Sequence, residues 1–261
     1  MIDVEILRPF FLTLAVSMAR ILAACSVAPF MGGQLLSGTM RNSLVFSFAL
    51  ILFPATFAAA PQDLDLSLSW IVLIGKEVIL GVLLGFMASK AFWLAMSVGF
   101  FIDNQRGASM ASSMDPMTGE QTSPLGEFLQ QTITVLFYSG GGFLVFLGMI
   151  YESYKTWPPF DFHPNFNNAF PGLLLQQVDN LMQLAVVIAA PIIITVFISE
   201  FGLGLMNRFA PQLQVFFLAM PIKSLVAIIV LIFYMTYLME FLQDEYLGIR
   251  HVMEYMKQVI S

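Results

Sequence analysis

Cysteine, histidine and charge are all scarce in this chain. Cys25 is its one cysteine, so no disulfide can form within it and no thiolate cluster can hold a metal. The stretch Leu22-Ala23-Ala24-Cys25 resembles a lipoprotein cleavage box. The segment before it is acidic, however, with Asp3 and Glu5, and Arg20 interrupts the apolar core that a signal peptide requires. Cys25 is therefore expected to stay in the chain as a small apolar packing residue. The two histidines, His163 and His251, sit outside the apolar runs, which excludes a membrane metal site of the H-E-x-x-H type. No serine stands in a G-x-S-x-G elbow, and no glycine-rich phosphate loop follows a strand pattern. An enzyme needs a positioned nucleophile, base or metal. The chain is read as non-catalytic and without a cofactor.

Charged residues make up 11% of the sequence, and the formal net charge is −6. The 11 basic residues are scattered from Arg8 to Lys257. They form no patch that could neutralise phosphates, which argues against nucleic acid as a partner. The scatter also gives no Lys/Arg excess on alternate loops, so charge alone assigns no membrane orientation.

Apolar residues are what the chain has in abundance: 58% hydrophobic, with a mean hydropathy of +0.82. Soluble domains sit near 45–50% apolar and about 25% charged. The expected fold is all-α and membrane-integral, a single unit over residues 1–261 built from helical hairpins with long, kinked helices. The first apolar run, Phe10 to Met31, is long enough to cross a hydrocarbon core, which takes about 20 helical residues. A turn-rich link from Gly32 to Asn42 leads to a second run, Leu44 to Ala60, which Pro54 should kink. Leu64 to Ile102 lacks proline and reads as one helix of roughly 40 residues, about 60 Å long. That is twice a hydrocarbon core, so it is either two crossings or one helix held by protein. Within it, Gly81 and Gly85 form a GxxxG pattern that permits close helix approach.

The hydrophobic texture breaks from Asn104 to Pro124 and returns from Glu127 to Tyr154, with a break at Gly140-Gly141-Gly142. Trp157 to Gly172 is a Pro- and Asn-rich loop. Leu173 to Leu205 and Val215 to Met239 are the last long runs, bent by Pro191 and Pro221 and joined by a polar link, Asn207 to Gln214. At the end, Leu242, Tyr246, Ile249, Met253, Met256 and Ile260 recur at spacings of four and three. This pattern marks a short amphipathic helix over 241–261.

Charges inside apolar runs are costly in lipid, about 2.5–3.5 kcal/mol each on insertion scales. Arg20, Lys76, Glu77, Lys90, Glu200 and Lys223 therefore require partners or water. Pairing with neighbouring helices is favoured over a lined pathway, because too few of them exist for a proton relay.

Two stretches carry a family resemblance. One is Phe101-Ile102-Asp103-Asn104-Gln105-Arg106-Gly107-Ala108, continuing to Asp115-Pro116 and Thr122-Ser123-Pro124. The other is Glu200-Phe201-Gly202-Leu203-Gly204-Leu205-Met206-Asn207-Arg208-Phe209-Ala210-Pro211-Gln212, continuing to Pro221-Ile222-Lys223-Ser224. With the order of the apolar runs, they resemble the SctT family of type III secretion export-apparatus proteins, the YscT and SpaR group, homologous to flagellar FliR. The D-N-Q-R-G form is similar to the virulence injectisome branch. The chain after Phe241 matches least well.

The resemblance implies a subunit of the injectisome export gate in the bacterial inner membrane, partly above the bilayer once assembled. Its implied partners are SctR and SctS, with SctU and SctV as further candidates, besides lipid and unfolded proteins in transit. Residues 1–179 would form an SctR-like half and 180–240 an SctS-like hairpin. The loop containing Asp103, Asn104, Gln105, Arg106, Gly107, Met110, Met114, Asp115, Pro116 and Met117 would be the plug that closes the channel. Its small, polar and Met residues suit that role, since Met fills irregular gaps. Lys76, Glu77, Gly81, Gly85, Glu200, Arg208 and Lys223 are expected to serve buried-charge and subunit packing. Leu242, Tyr246, Ile249, Met253, Met256 and Ile260 are expected to dock on a partner, with SctU the expected one. A multi-helix secondary transporter for a small solute is the competing class; it predicts an inverted repeat, and none is visible.

Overall fold

A computed structural model describes residues 4–32, 35–60, 68–108, 123–161, 170–209, 215–248 and 254, with backbone alone for 4–8, 68–69, 207–208 and 215–218. Seven α-helices account for nearly all of it: α1 (Val4–Val27), α2 (Gly38–Ala58), α3 (Leu68–Arg106), α4 (Pro124–Ser139), α5 (Gly142–Thr156), α6 (Phe170–Phe209) and α7 (Val215–Leu247). A short 3-10 turn, Pro29–Met31, follows α1. Among the described residues, five helices are long and apolar enough to cross a membrane, and α4 with α5 would make a sixth, broken span.

The local reasons are readable. Nothing between Leu68 and Arg106 breaks helix geometry, so α3 runs unbroken for 39 residues, as the missing proline predicts. Pro54, Pro191 and Pro221 all lie inside helices; helices in an apolar setting tolerate proline because neighbouring groups take up the freed carbonyls. Ser37 caps α2 by accepting from the Met40 N–H at 3.5 Å. The helix therefore starts at Gly38, inside the stretch expected to be a link. Its hydroxyls bond back into it, Ser43 to the Thr39 carbonyl and Ser47 to the Ser43 carbonyl, both at 2.9 Å. In this way polar side chains are satisfied without water. Gly140 ends α4, and Gly141, at φ +73°, turns the chain into α5. That left-handed conformation suits glycine and explains the break at the glycine triplet.

Two compact units form. The first comprises Met1–Lys90, Gly141–Leu174 and Leu247–Ser261; the second comprises Ala91–Gly140 and Leu175–Tyr246.

In the first unit α1 is the central element. Val16, Ile21, Ala24 and Cys25 are buried along it, Ala28 is buried just after it, and Phe30 meets the Phe146 ring edge-on at 5.0 Å. The GxxxG stripe of α3 faces α1. A Cβ on Gly81 would strike the Arg20 carbonyl and lie 2.8 Å from the Ala23 Cβ, and one on Gly85 would lie 2.5 Å from the Ala24 carbonyl oxygen. Gly81 and Gly85 thus pack within the chain, and their small-residue face is not open to another subunit. Without a hydrophobic drive between helices in lipid, such close approach is what holds them. Gly85→Val is expected to destabilise the protein by about 2–3 kcal/mol through overpacking. Gly75→Ala on the same helix meets nothing within 4 Å and should be neutral or mildly stabilising. Thermal unfolding in detergent checks both; equal melting points would refute the tight α1–α3 seam.

In the second unit, α3 and α4 cross on bare backbone: a Cβ on Gly99 would strike Gly126, and one on Gly126 would lie 2.9 Å from the Met96 carbonyl oxygen. Phe92 and Phe137 meet edge-on at 5.2 Å, and Phe137 and Tyr246 at 5.5 Å.

Candidate functional site

Three polar clusters stand out against the apolar background. The first is sealed in the first unit. Arg20 lies on α1 and Glu77 on α3, both with side chains fully buried. The guanidinium grips the carboxylate with two prongs, Nε at 2.7 Å and Nη2 at 2.9 Å. It also donates to Ser153 Oγ at 3.0 Å and to the Trp157 carbonyl at 2.9 Å, and it stacks over the Tyr154 ring at 4.1 Å. The fork geometry is what lets one arginine hold α1, α3 and α5 together. Tyr154 spends its hydroxyl on the Ser17 carbonyl at 2.7 Å, and Ser17 shares a 2.8 Å hydrogen bond with Thr56 of α2.

Lys76 extends this network. Its ammonium lies 3.0 Å from Glu77 Oε1 and donates to the carbonyls of Pro158, Pro159 and Asp161 at 2.8–3.0 Å. The turn after α5 is thus wrapped on a single charge. These charges pair with each other and with backbone, as expected of structural charges, and they are all within one chain.

The second cluster lies at the stem of the 104–124 stretch. Asp103, one turn before the end of α3, is 3% exposed. Its Oδ1 accepts from Arg106 Nε at 2.7 Å and faces Arg106 Nη2 at 2.7 Å; its Oδ2 accepts from Ser123 Oγ at 2.7 Å and from the Leu125 N–H at 3.0 Å. Ser123 Oγ in turn accepts from the Gly126 N–H at 3.0 Å, capping α4. Gly107, at φ +84°, ends α3. Asn104, Gln105 and Arg106 are the last residues of that helix, so this part of the motif is helical and not loop. Met110, Met114, Asp115, Pro116 and Met117 lie outside the described residues.

The third cluster links α6 and α7. Lys223 Nζ lies 3.2 Å from Glu200 Oε1, with the lysine side chain 11% exposed and the glutamate 46%. The Arg208 side chain is outside the description. Glu200→Gln is expected to weaken this contact by about 1–2 kcal/mol, less than a sealed pair would lose. It should lower recovery of any complex the protein forms; unchanged recovery and unchanged secretion would make the pair unimportant.

The tail differs from its expected form. Leu242 and Tyr246 are the last turns of α7, not the start of a separate helix, and both are fully covered by the chain. Tyr246 reaches the Leu136 carbonyl at 3.5 Å and sits where a Cβ on Gly140 would be, 2.7 Å from its hydroxyl. Side chains buried in this way have no surface to offer a partner. Ile249, Met253, Met256 and Ile260 lie outside the described residues, as do both histidines.

The family model for bacterial export proteins, family 1, matches residues 11–248. The chain belongs to that family. The match covers α1 from Phe11 onward, the other six helices whole and all three clusters, and it agrees with the SctT/FliR resemblance. The Yop proteins translocation protein T of Yersinia pestis is 43% identical over 228 residues, covering 87% of each chain. SpaR of Salmonella typhimurium, a surface presentation of antigens protein, is 34% identical over 222 residues, 84% of this chain and 81% of its own. The flagellar biosynthetic protein FliR of Bacillus subtilis is 28% identical over 214 residues, 82% of each. The family thus includes both translocation and flagellar members, and the higher identity here is to the translocation branch. These relatives are named for translocation, surface presentation of antigens and flagellar biosynthesis.

Sequence reasoning missed Ser123, Ser153, Tyr154 and the carbonyls of 157–161. Ser123 carried a signal, a serine before Pro124 at a helix start. The others carried none, since their roles depend on which helices meet.

Proposed function

We propose that this chain is the SctT-type subunit of an injectisome export gate in the bacterial inner membrane. It assembles with SctR- and SctS-type subunits around the path of unfolded proteins, and its 104–124 stretch closes that path at rest. The observation that carries this reading is the 43% identity over 87% of the chain to a translocation protein. The architecture supports it. Only 17% of the apolar windows of α2 and of α7 is buried inside the chain. Ile51, Phe201 and Phe233 are among the large apolar side chains left exposed on α2, α6 and α7. Such broad apolar faces call for lipid or other subunits as cover. The partly exposed Glu200 on α6 favours a protein neighbour at that level, because a carboxylate facing hydrocarbon is costly.

The test is affinity purification of the tagged chain from its native membrane in mild detergent. Two small apolar partner proteins in fixed proportion are the expected result. A stable, monodisperse chain that alone transports a small solute would overturn the reading.

Residues beyond Tyr246 are proposed to dock on a neighbouring export-apparatus subunit, with SctU the candidate. The mixed charge of Glu254, Lys257 and Arg250 argues against anionic lipid as the main contact. A photocrosslinker at Ile249 is expected to capture another subunit. Capture of the chain itself, or of nothing in assembled complexes, would show a helix end packed on its own protein.

A further inference from the structure

We propose that Arg41 binds the phosphate of an anionic phospholipid, one of the phosphatidylglycerol type, at the end of α2. Other cations in the apolar helices have a carboxylate within the chain. Arg20 and Lys76 share Glu77, Arg106 has Asp103, and Lys223 has Glu200. Arg41 has no acceptor for its side chain among the described residues. Its Nε is sealed from solvent without a hydrogen-bond partner, and the residue as a whole is partly exposed. No acidic residue stands between Glu5 and Asp63 in the sequence, so the neighbouring chain supplies no counter-charge. Position deepens the deficit. Arg41 is the fourth residue of α2, at the positive end of the helix dipole, and the first turn holds no acid. A cation there is repelled by its own helix and needs an anion from outside the chain.

The dimensions of α2 favour lipid over an acidic protein side chain as the source of that anion. Its 21 residues rise about 31 Å, one hydrocarbon thickness of about 30 Å. The helices α3 and α6, at 39 and 40 residues, are nearly twice as long. Leu44, Leu50 and Ile51 are exposed along α2, as acyl chains would require. With this helix across a bilayer, Arg41 lies within one turn of its end, at headgroup depth. Thr39, Asn42 and Ser43 beside it are exposed as well, and their hydroxyls and amide suit that layer. Val45, one turn further on, is fully buried, whereas Leu44 is exposed. Arg41 therefore stands at the margin of the packed face, where an arginine covers apolar surface with its stem and offers its guanidinium outward. A phosphodiester accepts charge-assisted bonds from such a fork. The ammonium or choline of a zwitterionic headgroup would meet only more positive charge here, which selects the anionic class. The site needs only a membrane around α2 and does not depend on the gate.

The test uses the full chain, purified and delipidated in detergent. It is titrated with phosphatidylglycerol and, separately, with phosphatidylcholine of the same acyl chains, and bound lipid is counted by native mass spectrometry. Wild type is expected to hold phosphatidylglycerol more tightly than phosphatidylcholine. Arg41→Gln should weaken phosphatidylglycerol about five-fold, the worth of one cation at an anionic surface, and bring the two lipids level. Arg41→Lys should restore most of the difference. Equal binding of the two lipids by wild type would overturn the site, and that arm needs no variant to fold. Unchanged phosphatidylglycerol binding by Arg41→Gln would overturn it too. Inorganic phosphate is expected not to displace the lipid; displacement would remove lipid as the occupant. An acidic subunit at Arg41 would show in complexes recovered from membranes. Arg41→Gln would then lose a protein component while keeping its phosphatidylglycerol, and that result would also overturn the proposal.

Discussion

Glu77→Gln is expected to lower stability by about 3–5 kcal/mol, because it leaves buried cations without their counter-charge. Arg20 and Lys76 would then face each other across a site sealed from solvent, where the wild type has Glu77 2.7 Å from one and 3.0 Å from the other. For a chain of this size the loss corresponds to about 10 °C in melting temperature. The check is thermal unfolding of the purified protein in detergent, with the level of folded protein in membranes alongside. Arg20→Met/Glu77→Met should be milder than Glu77→Gln alone, since replacing both partners removes the orphaned arginine. A melting point within about 2 °C of wild type for Glu77→Gln would mean that the network contributes little.

Deletion of Gly107–Gly119 is expected to leave assembly intact and to raise resting membrane conductance by about an order of magnitude or more, as a gate left open to water and ions would. Assembly should survive because the stems are already adjacent at Asp103 and Ser123. The three residues that remain, Glu120, Gln121 and Thr122, span at most about 10 Å and need only close a short gap. Conductance is read in cells expressing the whole gate. No rise over wild type, with assembly confirmed, would remove the plug from the account.

The sequence made the long elements legible and the pairings illegible. α3 follows from an absence of proline, and the α4–α5 break from three consecutive glycines. Both are local rules, and local rules need no knowledge of what lies opposite. The same holds for the warning that Arg20, Lys76 and Glu77 must be satisfied. That Arg20 takes Glu77 and not another acid, and that Lys76 is wrapped by the 158–161 carbonyls, depends on α1, α3 and α5 meeting. No periodicity encodes that meeting. Leu242 and Tyr246 show a related confusion. Their four-and-three spacing reported burial correctly but was silent on what buries them, and Tyr246 proved to lie against Leu136 and Phe137 of its own chain.

The two fixed points of α7 make that helix a measured length. Lys223 is held at Glu200, and Tyr246 is seated on side-chain-free Gly140. Twenty-three residues separate them (246 − 223), about 34 Å of helix. One residue inserted between them would swing the tyrosine about 100° off its seat and advance it about 1.5 Å. Seven would restore its angle nearly but carry it about 10 Å too far. Point changes along the exposed side of this interval can accumulate while its residue count stays fixed, so the constraint on α7 is one of phase and length before it is one of composition.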